Sequence, residues 1–556
     1  MQRLIAAVVA IFSAAASLAA PANVCTDPYW KNTLRCTFSP NTPPQPNIGE
    51  LPDLPANQPV PAFTRVFLPD PNIRCTDGTA PLIYIDKAVC TNPNGCGAGI
   101  ERGDPVESNR WIFSVSGGTA CAKEQCAALY AEPDERGSMG SSTKPLFKEM
   151  NGIHDPDPVA NPMFAGYNRV RIEKCTFDRY MGRSADEAPG GAYTGTGPGG
   201  QEVGFNLYYH GFFIIEEALH ELQNGLRYTA WTRTPAPGSR RRACCGPSGG
   251  PQVTPFTETL PPLADAEVVL FIGHSNASHG LYHNIDHIVA LLQAMPGFDG
   301  DVRAMFDANF LPSIENEASF ATSAPAGKDA YDGIWSGPTS VRGESFTYDG
   351  EEFYETANTA QQYQQYKAVL DASCMDAHTS NNTTWMCKDR QHVLFNHIAT
   401  PFFAREDFLD PNLEHLDAPL GHLLYWGEPK HYAYCPDSNP CNPRMNAAEY
   451  RARIAKQMQT LLNGIYTRSE LARGVDKSTL RNPTVFAWMP QCSQHEGSFD
   501  DDSFQGATIA TEGSASFSMR EWTEEFMNAP RSGVRRYKID GVNDLSGAAM
   551  RTTRCE

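Results

Sequence analysis

The sequence is short of positive charge. Lys and Arg account for 45 of 556 residues and Asp and Glu for 64, a formal net charge of −19. A protein that holds nucleic acid by neutralising phosphates needs the opposite balance, so no nucleic-acid partner is expected. Long apolar runs are also lacking. The apolar run at 4–12 is too short for a membrane span and no later stretch is long and apolar enough, so no integral membrane association is expected. There is no HExxH metal motif, because His220-Glu221 has no second His four residues after the first, and no internal repeat. Apolar material is plentiful: 41% of residues are hydrophobic, enough for a sizeable core, which rules out disorder for most of the chain. Gly (45) and Pro (43) imply many loops.

The N-terminus carries a compartment signal. Arg3 is the only charge in the first 20 residues, an apolar run follows, and small residues (Ser13, Ala14, Ser17, Ala19, Ala20) close it. This pattern predicts a secretory signal peptide over 1–20, whose removal leaves 44 basic and 64 acidic residues, a net charge of −20. All 16 cysteines lie beyond it, and an even count in an exported chain points to disulfides rather than metal. Cys121/Cys126 and Cys435/Cys441 are spaced for short disulfide loops. Residues 21–62 are rich in Pro and Asn and read as an extended leader. A single domain is expected over 63–556.

Within that domain, β-branched and aromatic runs at 111–115, 170–172, 267–272, 398–403 and 484–488 alternate with helical patterns at 211–226 and 280–295. Strand followed by helix, repeated, predicts an α/β fold with a mostly parallel sheet covered on both faces. Residues 184–200, 234–251 and 322–350 read as loops. In such sheets, sites form where strand C-termini meet loops.

The segment EVVLFIGHSNASHGLYHNIDHIVALL is the most informative. A buried strand runs into Gly273-His274-Ser275-Asn276-Ala277 and a helix comes next, the context of a nucleophile elbow. Small residues at 273 and 277 let strand and helix approach, and the helix N-terminus stabilises negative charge at the serine. An ordinary N-capping role for Ser275 or Ser278 is the competing reading. His279, His283 and His287 form an i, i+4, i+8 row. A metal there is the weaker reading beside core-edge and surface histidines, so no metal or cofactor is expected.

A serine nucleophile needs a histidine base and a carboxylate to orient it. His495 follows a predicted strand and sits beside Cys492, whose disulfide would hold the loop. His392, His397, His415, His422 and His431 compete with it. Glu406, Asp407 and Asp410 follow another strand, so the order 275, 410, 495 is available. For the oxyanion hole, Gly117-Gly118-Thr119 follows the strand at 111–115, and the Asn276 amide lies next to the nucleophile.

Together these segments resemble the pectin acetylesterase/Notum family of secreted carboxylesterases, from about Arg74 to about Leu545. The carrying segments are RCTDGT from Arg74, RWIFSVSGGTACAKEQC from Arg110, NRVRIEKCTFDRYMG from Asn168, YYHGFFIIEEALHEL from Tyr208, and Cys492-Ser493-Gln494-His495. The family has an Asp eleven residues after its serine, matched by Ser275 and Asp286. Its Thr-Pro-Leu-Phe strand leads to the catalytic Asp ten residues on, which selects Asp410 from Thr400. Two departures stand out. Gly-Gly-Trp of the family is Gly-Gly-Thr here, and its Ala-Gly-Gly after the serine is Asn276-Ala277-Ser278. Residues 325–389 match poorly and read as an insertion.

The resemblance implies an α/β-hydrolase-like fold stapled by disulfides and a serine esterase needing no cofactor. Ser275, Asp410 and His495 are the implied triad, with the Gly118, Thr119 and Asn276 amides as the oxyanion hole. Glu406 and Asp407 are expected to face solvent or to cap the next element. The expected substrate is an acyl ester, with acetylated polysaccharide as the family analogue. A fatty-acyl deacylase of Notum type and a binding protein that kept the fold are the alternatives.

Overall fold

The computed structural model describes residues 63–185, 192–196, 202–233, 253–308, 346–348, 351–353, 365–379, 387, 393–394, 397–407, 483–540 and 548–555, with single gaps at 98, 122, 132, 149 and 493. Its centre is a ten-stranded sheet. The strands are β1 (Phe63–Phe67), β2 (Leu82–Asp86), β3 (Arg110–Val115), β4 (Phe147–Lys148), β5 (Asn168–Ile172), β6 (Val268–His274), β7 (Asp301–Asp307), β8 (Phe402–Arg405), β9 (Val485–Met489) and β10 (Arg535–Ile539). Their spatial order is β10-β9-β8-β7-β6-β3-β5-β2-β1-β4. Strands from β10 to β5 in that order pair in parallel, and β2, β1 and β4 add an antiparallel margin. This is the mostly parallel sheet expected from the alternating pattern, in an α/β-hydrolase-like fold.

Continuous apolar runs such as VFAWM in β9 and VVLFIGH in β6 are what strands buried on both faces require. The helices include α1 (Lys123–Ala131), α2 (Gly211–Leu222), α3 (Asn276–Ala294), α4 (Ala372–Thr379) and α5 (Met519–Asn528). Side chains alternate along a strand, so neighbours point to opposite faces. Phe402 packs against Phe306, which meets Tyr282 of α3, whereas Phe403 packs against Phe526 of α5. Helices α3 and α5 therefore lie on opposite faces of the sheet.

The element bounds differ from the sequence pattern in instructive places. The run at 398–403 begins as a strand only at Phe402, because Asp286 of α3 accepts hydrogen bonds from the Ala399 and Thr400 amides and the Thr400 hydroxyl, holding that segment in a turn. The helix expected to reach 226 ends at Leu222, and Leu226 opens a hairpin strand. Part of the expected loop at 184–200 is strand: Ala192–Thr196 pairs with Glu202–Asn206. The expected loop at 234–251 lies outside the described residues.

Among the described residues five disulfides are formed: Cys75–Cys175, Cys90–Cys96, Cys121–Cys126, Cys374–Cys387 and Cys492–Cys555. Cys121–Cys126 is one of the two short loops expected from spacing; Cys435 and Cys441 lie outside the described residues. Such a set suits an oxidising, extracellular environment. Among the described residues, no helix is long and apolar enough to cross a membrane.

Candidate active site

The chain order places β3 at the middle of the sheet, with β5 on one side and β6 on the other. At such a reversal the loops leaving adjacent strands part and open a crevice at the strand C-termini. The loop after β3 carries Gly117 and Gly118, and the turn after β6 carries Ser275.

Ser275 has φ 49° and ψ −124°, a backbone conformation that a non-glycine residue adopts only under constraint. Its amide is held by the Asp307 carbonyl at 2.8 Å, and helix α3 starts at the next residue. Gly273 is what permits this turn: a Cβ there would lie 2.6 Å from the Ser278 Cα. The Ser275 side chain makes no N-cap hydrogen bond, so the capping reading does not describe it. Its hydroxyl has no hydrogen bond to any described residue, His495 included. Ser278, in contrast, is fully buried and committed. Its hydroxyl donates to the Gly273 and Asp307 carbonyls and accepts from the Asp307 amide.

The glycine loop folds over the serine. A Cβ on Gly117 would stand 2.8 Å from the Ser275 Cβ and 2.5 Å from both the His274 carbonyl and Glu496 Oε1. Only a residue without a side chain fits between the nucleophile turn and the histidine loop. Asn276 Nδ2 donates to the Gly118 carbonyl at 2.8 Å, tying the loop to the turn, and Gly118 takes φ +129°. Thr119 donates through Oγ1 to Glu135 at 3.2 Å.

The third component arrives after β9. His495 is half-buried, and its neighbours are fixed on either side. The Gln494 amide donates to Asp407 Oδ2 at 2.8 Å and the Gln494 carbonyl accepts from Arg405 at 2.9 Å. Glu496, at φ 55°, reaches Gly117 as described. Cys492, three residues before His495, is bonded to Cys555, as expected for a pinned loop. Asp410 lies outside the described residues. Glu406 and Asp407 correct the sequence expectation: both are buried rather than solvent-facing, because β8 extends through Arg405 and carries them beneath the histidine loop. Asp407 pairs with Arg405 at 2.6 Å.

Beneath these loops runs a buried polar row that sequence reading missed. His274, Asp307 and Arg405 are direct ladder partners across β6, β7 and β8, so their side chains share one face. Arg405 reaches Asp307 Oδ1 at 2.9 Å, while the His274 ring and the Ser498 hydroxyl and amide converge on Oδ2. Burial alone would raise the Asp307 carboxyl, but Arg405, His274 and Ser498 outweigh it and hold it well below the usual carboxylate range. The row comes from three separate strands, with 98 residues between Asp307 and Arg405, and no local pattern announces it.

The histidines of α3 are spread over different surroundings. His279 and His283 are buried, and His279 Nδ1 lies 3.0 Å from the Arg179 guanidinium. His287 is partly exposed beside Glu216 and the Phe212 ring. The one grouping with metal-ligand proximity among the described residues is Cys374, His378 and His397, and the Cys374 sulfur is already in a disulfide.

Three comparisons bear on the fold and on family likeness. A family model described as pectinacetylesterase matches residues 66–230, which span β1, the glycine loop, β5 and α2. The palmitoleoyl-protein carboxylesterase notum2 of Xenopus laevis is 24% identical over 240 residues, 43% of this chain and 38% of that protein. The match thus spans well under half of the frog protein's length. A Danio rerio protein named inactive palmitoleoyl-protein carboxylesterase notum1b is 29% identical over 117 residues, 21% of this chain and 70% of that protein. A solved structure of the Wnt deacylase Notum from Drosophila aligns over 85% of this chain and 96% of its own, with a TM-score of 0.50 and 16% identity, a likeness of fold.

The chain resembles the pectin acetylesterase/Notum family, in sequence over residues 66–230 and in fold. Two of the family-like features now have physical roles. Asp286, eleven residues after Ser275, anchors the start of β8 and with it the acidic segment beyond. Asp178, in the Cys-Thr-Phe-Asp segment, accepts from the Tyr180 and Gly211 amides and so couples the turn after β5 to the start of α2. The family is one of carboxylesterase-type hydrolases.

Near the same loops, Glu173 is held by Lys148 at 2.7 Å, Lys144 at 3.3 Å and Arg171 at 3.4 Å. Burial pushes its carboxyl up, but the three cations outweigh it and bring it down to about 2. A carboxyl lowered on folding contributes stability that is complete above its unfolded value, about 4.3, and is lost as pH falls through the folded one. The shift corresponds to about 3 kcal/mol. Thermal melts of wild type and Glu173→Gln between about pH 7 and pH 2.5 check this: the wild type should be the more stable at neutral pH, and the gap should close as pH falls from about 4.5 toward 2. A gap that does not change with pH removes Glu173 from the acid transition.

Proposed function

We propose that this protein is a secreted serine carboxylesterase that hydrolyses acyl esters, acetyl esters foremost, through an acyl-enzyme. Ser275 Oγ attacks the ester carbonyl while His495 takes its proton. Asp410 orients His495 and supports its charged form. The Gly118, Thr119 and Asn276 amides receive the oxyanion as the tetrahedral intermediate forms. His495 returns the proton to the departing alcohol, and water repeats the sequence on the acyl-serine. No metal or cofactor enters these steps.

The observation that carries the reading is the strained Ser275 at the start of α3 with the Gly117–Gly118 loop closed over it. The Ser275 hydroxyl makes no hydrogen bond to a described residue, and contacts between nucleophile and base commonly tighten only in the complex. A signal peptide over 1–20 and the disulfides support export. Acetylated polysaccharide is the proposed natural class, and a second reading comes from the relatives named palmitoleoyl-protein carboxylesterases: a longer acyl chain.

A series of p-nitrophenyl esters from acetate to palmitate, followed by acetate release from acetylated polysaccharides, tests both. The expected result is a kcat/KM that is highest for acetate and falls with chain length. A maximum at long chains selects the fatty-acyl reading. No turnover of any ester, together with no labelling of Ser275 by a fluorophosphonate, leaves a binding protein on an esterase fold.

A further inference from the structure

The ammonium of Lys174 plays no part in the mechanism proposed above. Lys174 lies two residues beyond β5, with its side chain 13% exposed. It is wedged under the glycine loop: a Cβ on Gly118 would overlap its ammonium and the two methylenes behind it. Its Nζ donates no hydrogen bond to a described residue. The surroundings are a carboxylate, Glu135 Oε2 at 3.9 Å, and the Phe177 ring, with its centroid 4.2 Å away.

Two carboxylates flank this loop. Glu135 holds the Thr119 hydroxyl through Oε1, while its Oε2 is buried without a hydrogen-bond partner. Glu496 brings Oε1 against Gly117 from the histidine loop. Negative charge at both ends of a loop whose amides must receive an oxyanion opposes the reaction. Lys174 is the cation placed between them.

We propose that Lys174 is a positioning residue of the oxyanion loop, its ammonium supporting Gly118 from beneath and cancelling the carboxylate charge of Glu135 and Glu496 beside the developing oxyanion. The inference rests on the esterase reading. Lys174 touches neither Ser275 nor His495 in the structure's contacts and acts through the loop.

A pH signature is expected. Burial lowers the Lys174 ammonium most, Glu135, Glu496 and Glu173 oppose that, Lys144 adds to it, and the outcome is about 8. Lys174 is therefore charged at neutral pH and loses its proton as pH rises through about 8. kcat should fall on the same limb.

The test is kcat and KM against pH on p-nitrophenyl acetate for wild type, Lys174→Met, Lys174→Arg and Glu135→Gln. Lys174→Met should lower kcat at neutral pH by about tenfold to a hundredfold, less than the loss of an oxyanion donor itself, with KM nearly unchanged and the limb near pH 8 gone. Lys174→Arg should keep the charge and most of the rate, with the limb moved to higher pH. Glu135→Gln keeps the acceptor for Thr119 and removes a charge that favours the ammonium, so the limb should move to lower pH. This variant carries the test even where Lys174→Met does not fold. Adding Glu496→Gln to Lys174→Met should recover part of the lost kcat. Wild-type kcat and an unchanged limb in Lys174→Met overturn the proposal, as does an unmoved limb in Glu135→Gln or a loss confined to KM. A wild-type protein that neither turns over esters nor labels at Ser275 defeats the esterase reading itself and takes this inference with it.

Discussion

Ser275→Ala is expected to abolish ester hydrolysis, with a fall in kcat of about four to six orders of magnitude, while the protein still folds and is exported. The size reflects what the residue is proposed to do. Without Oγ there is no acyl-enzyme, and what remains is the acceleration by the oxyanion amides and by binding alone. The fold should tolerate the change. Alanine at φ 49° is no more strained than serine, and the Ser275 hydroxyl makes no hydrogen bond to a described residue. Stability should therefore stay within about 0.5 kcal/mol of wild type. Ser278→Ala should behave in the opposite way. Its hydroxyl ties the Gly273 and Asp307 backbones together in a fully buried position, so its removal leaves polar groups unmatched and should cost about 1–3 kcal/mol of stability. Thermal melts, turnover and fluorophosphonate labelling of both variants separate the two roles. Wild-type turnover in Ser275→Ala would end the proposed mechanism, since Ser278 is not free to replace it.

The parts of the candidate site that are local are legible in the sequence. The turn at Gly273-His274-Ser275 is written in consecutive residues, because a strand, a tight turn and a helix each leave a short pattern. The glycine loop and the disulfide-pinned histidine loop are legible for the same reason. Contacts set by register are not. That His274, Asp307 and Arg405 share a face depends on which strands are neighbours and how they are offset, and neither fact is local. The error over Glu406 and Asp407 has this origin. Two acidic residues after an apolar run read as a solvated loop, yet a buried arginine one residue earlier and the Gln494 backbone give Asp407 partners inside the protein. Lys174 escaped notice likewise, since a lysine beside a cysteine carries no signal until Gly118 is seen above it.

Asp410→Asn is expected to lower kcat by about three to four orders of magnitude, far more than it changes KM, with little loss of stability. A triad carboxylate fixes the tautomer of its histidine and stabilises the imidazolium that forms as the serine attacks, so its charge matters most in the transition state. Asp407→Asn should do something different. Asp407 is buried, pairs with Arg405 and accepts from the amide next to His495. Its charge is expected to anchor the histidine loop through the Gln494 amide. Arg405 keeps its second carboxylate, Asp307, so the variant should still fold, but breaking one half of a buried pair should cost about 3 kcal/mol. A loosened His495 should lower kcat by about a hundredfold or less, the scale of a 1 Å misplacement. The two variants are told apart by measuring melting temperature and kcat on the same preparations: rate without stability for Asp410, stability with a smaller rate loss for Asp407. If Asp407→Asn takes the larger rate loss at unchanged melting temperature, the carboxylate that orients His495 is Asp407, three residues before the position the Thr400 offset selects. If neither variant loses more than about tenfold in kcat, the Ser–Asp–His order fails, because no catalytic histidine of this type works so nearly normally without its acid.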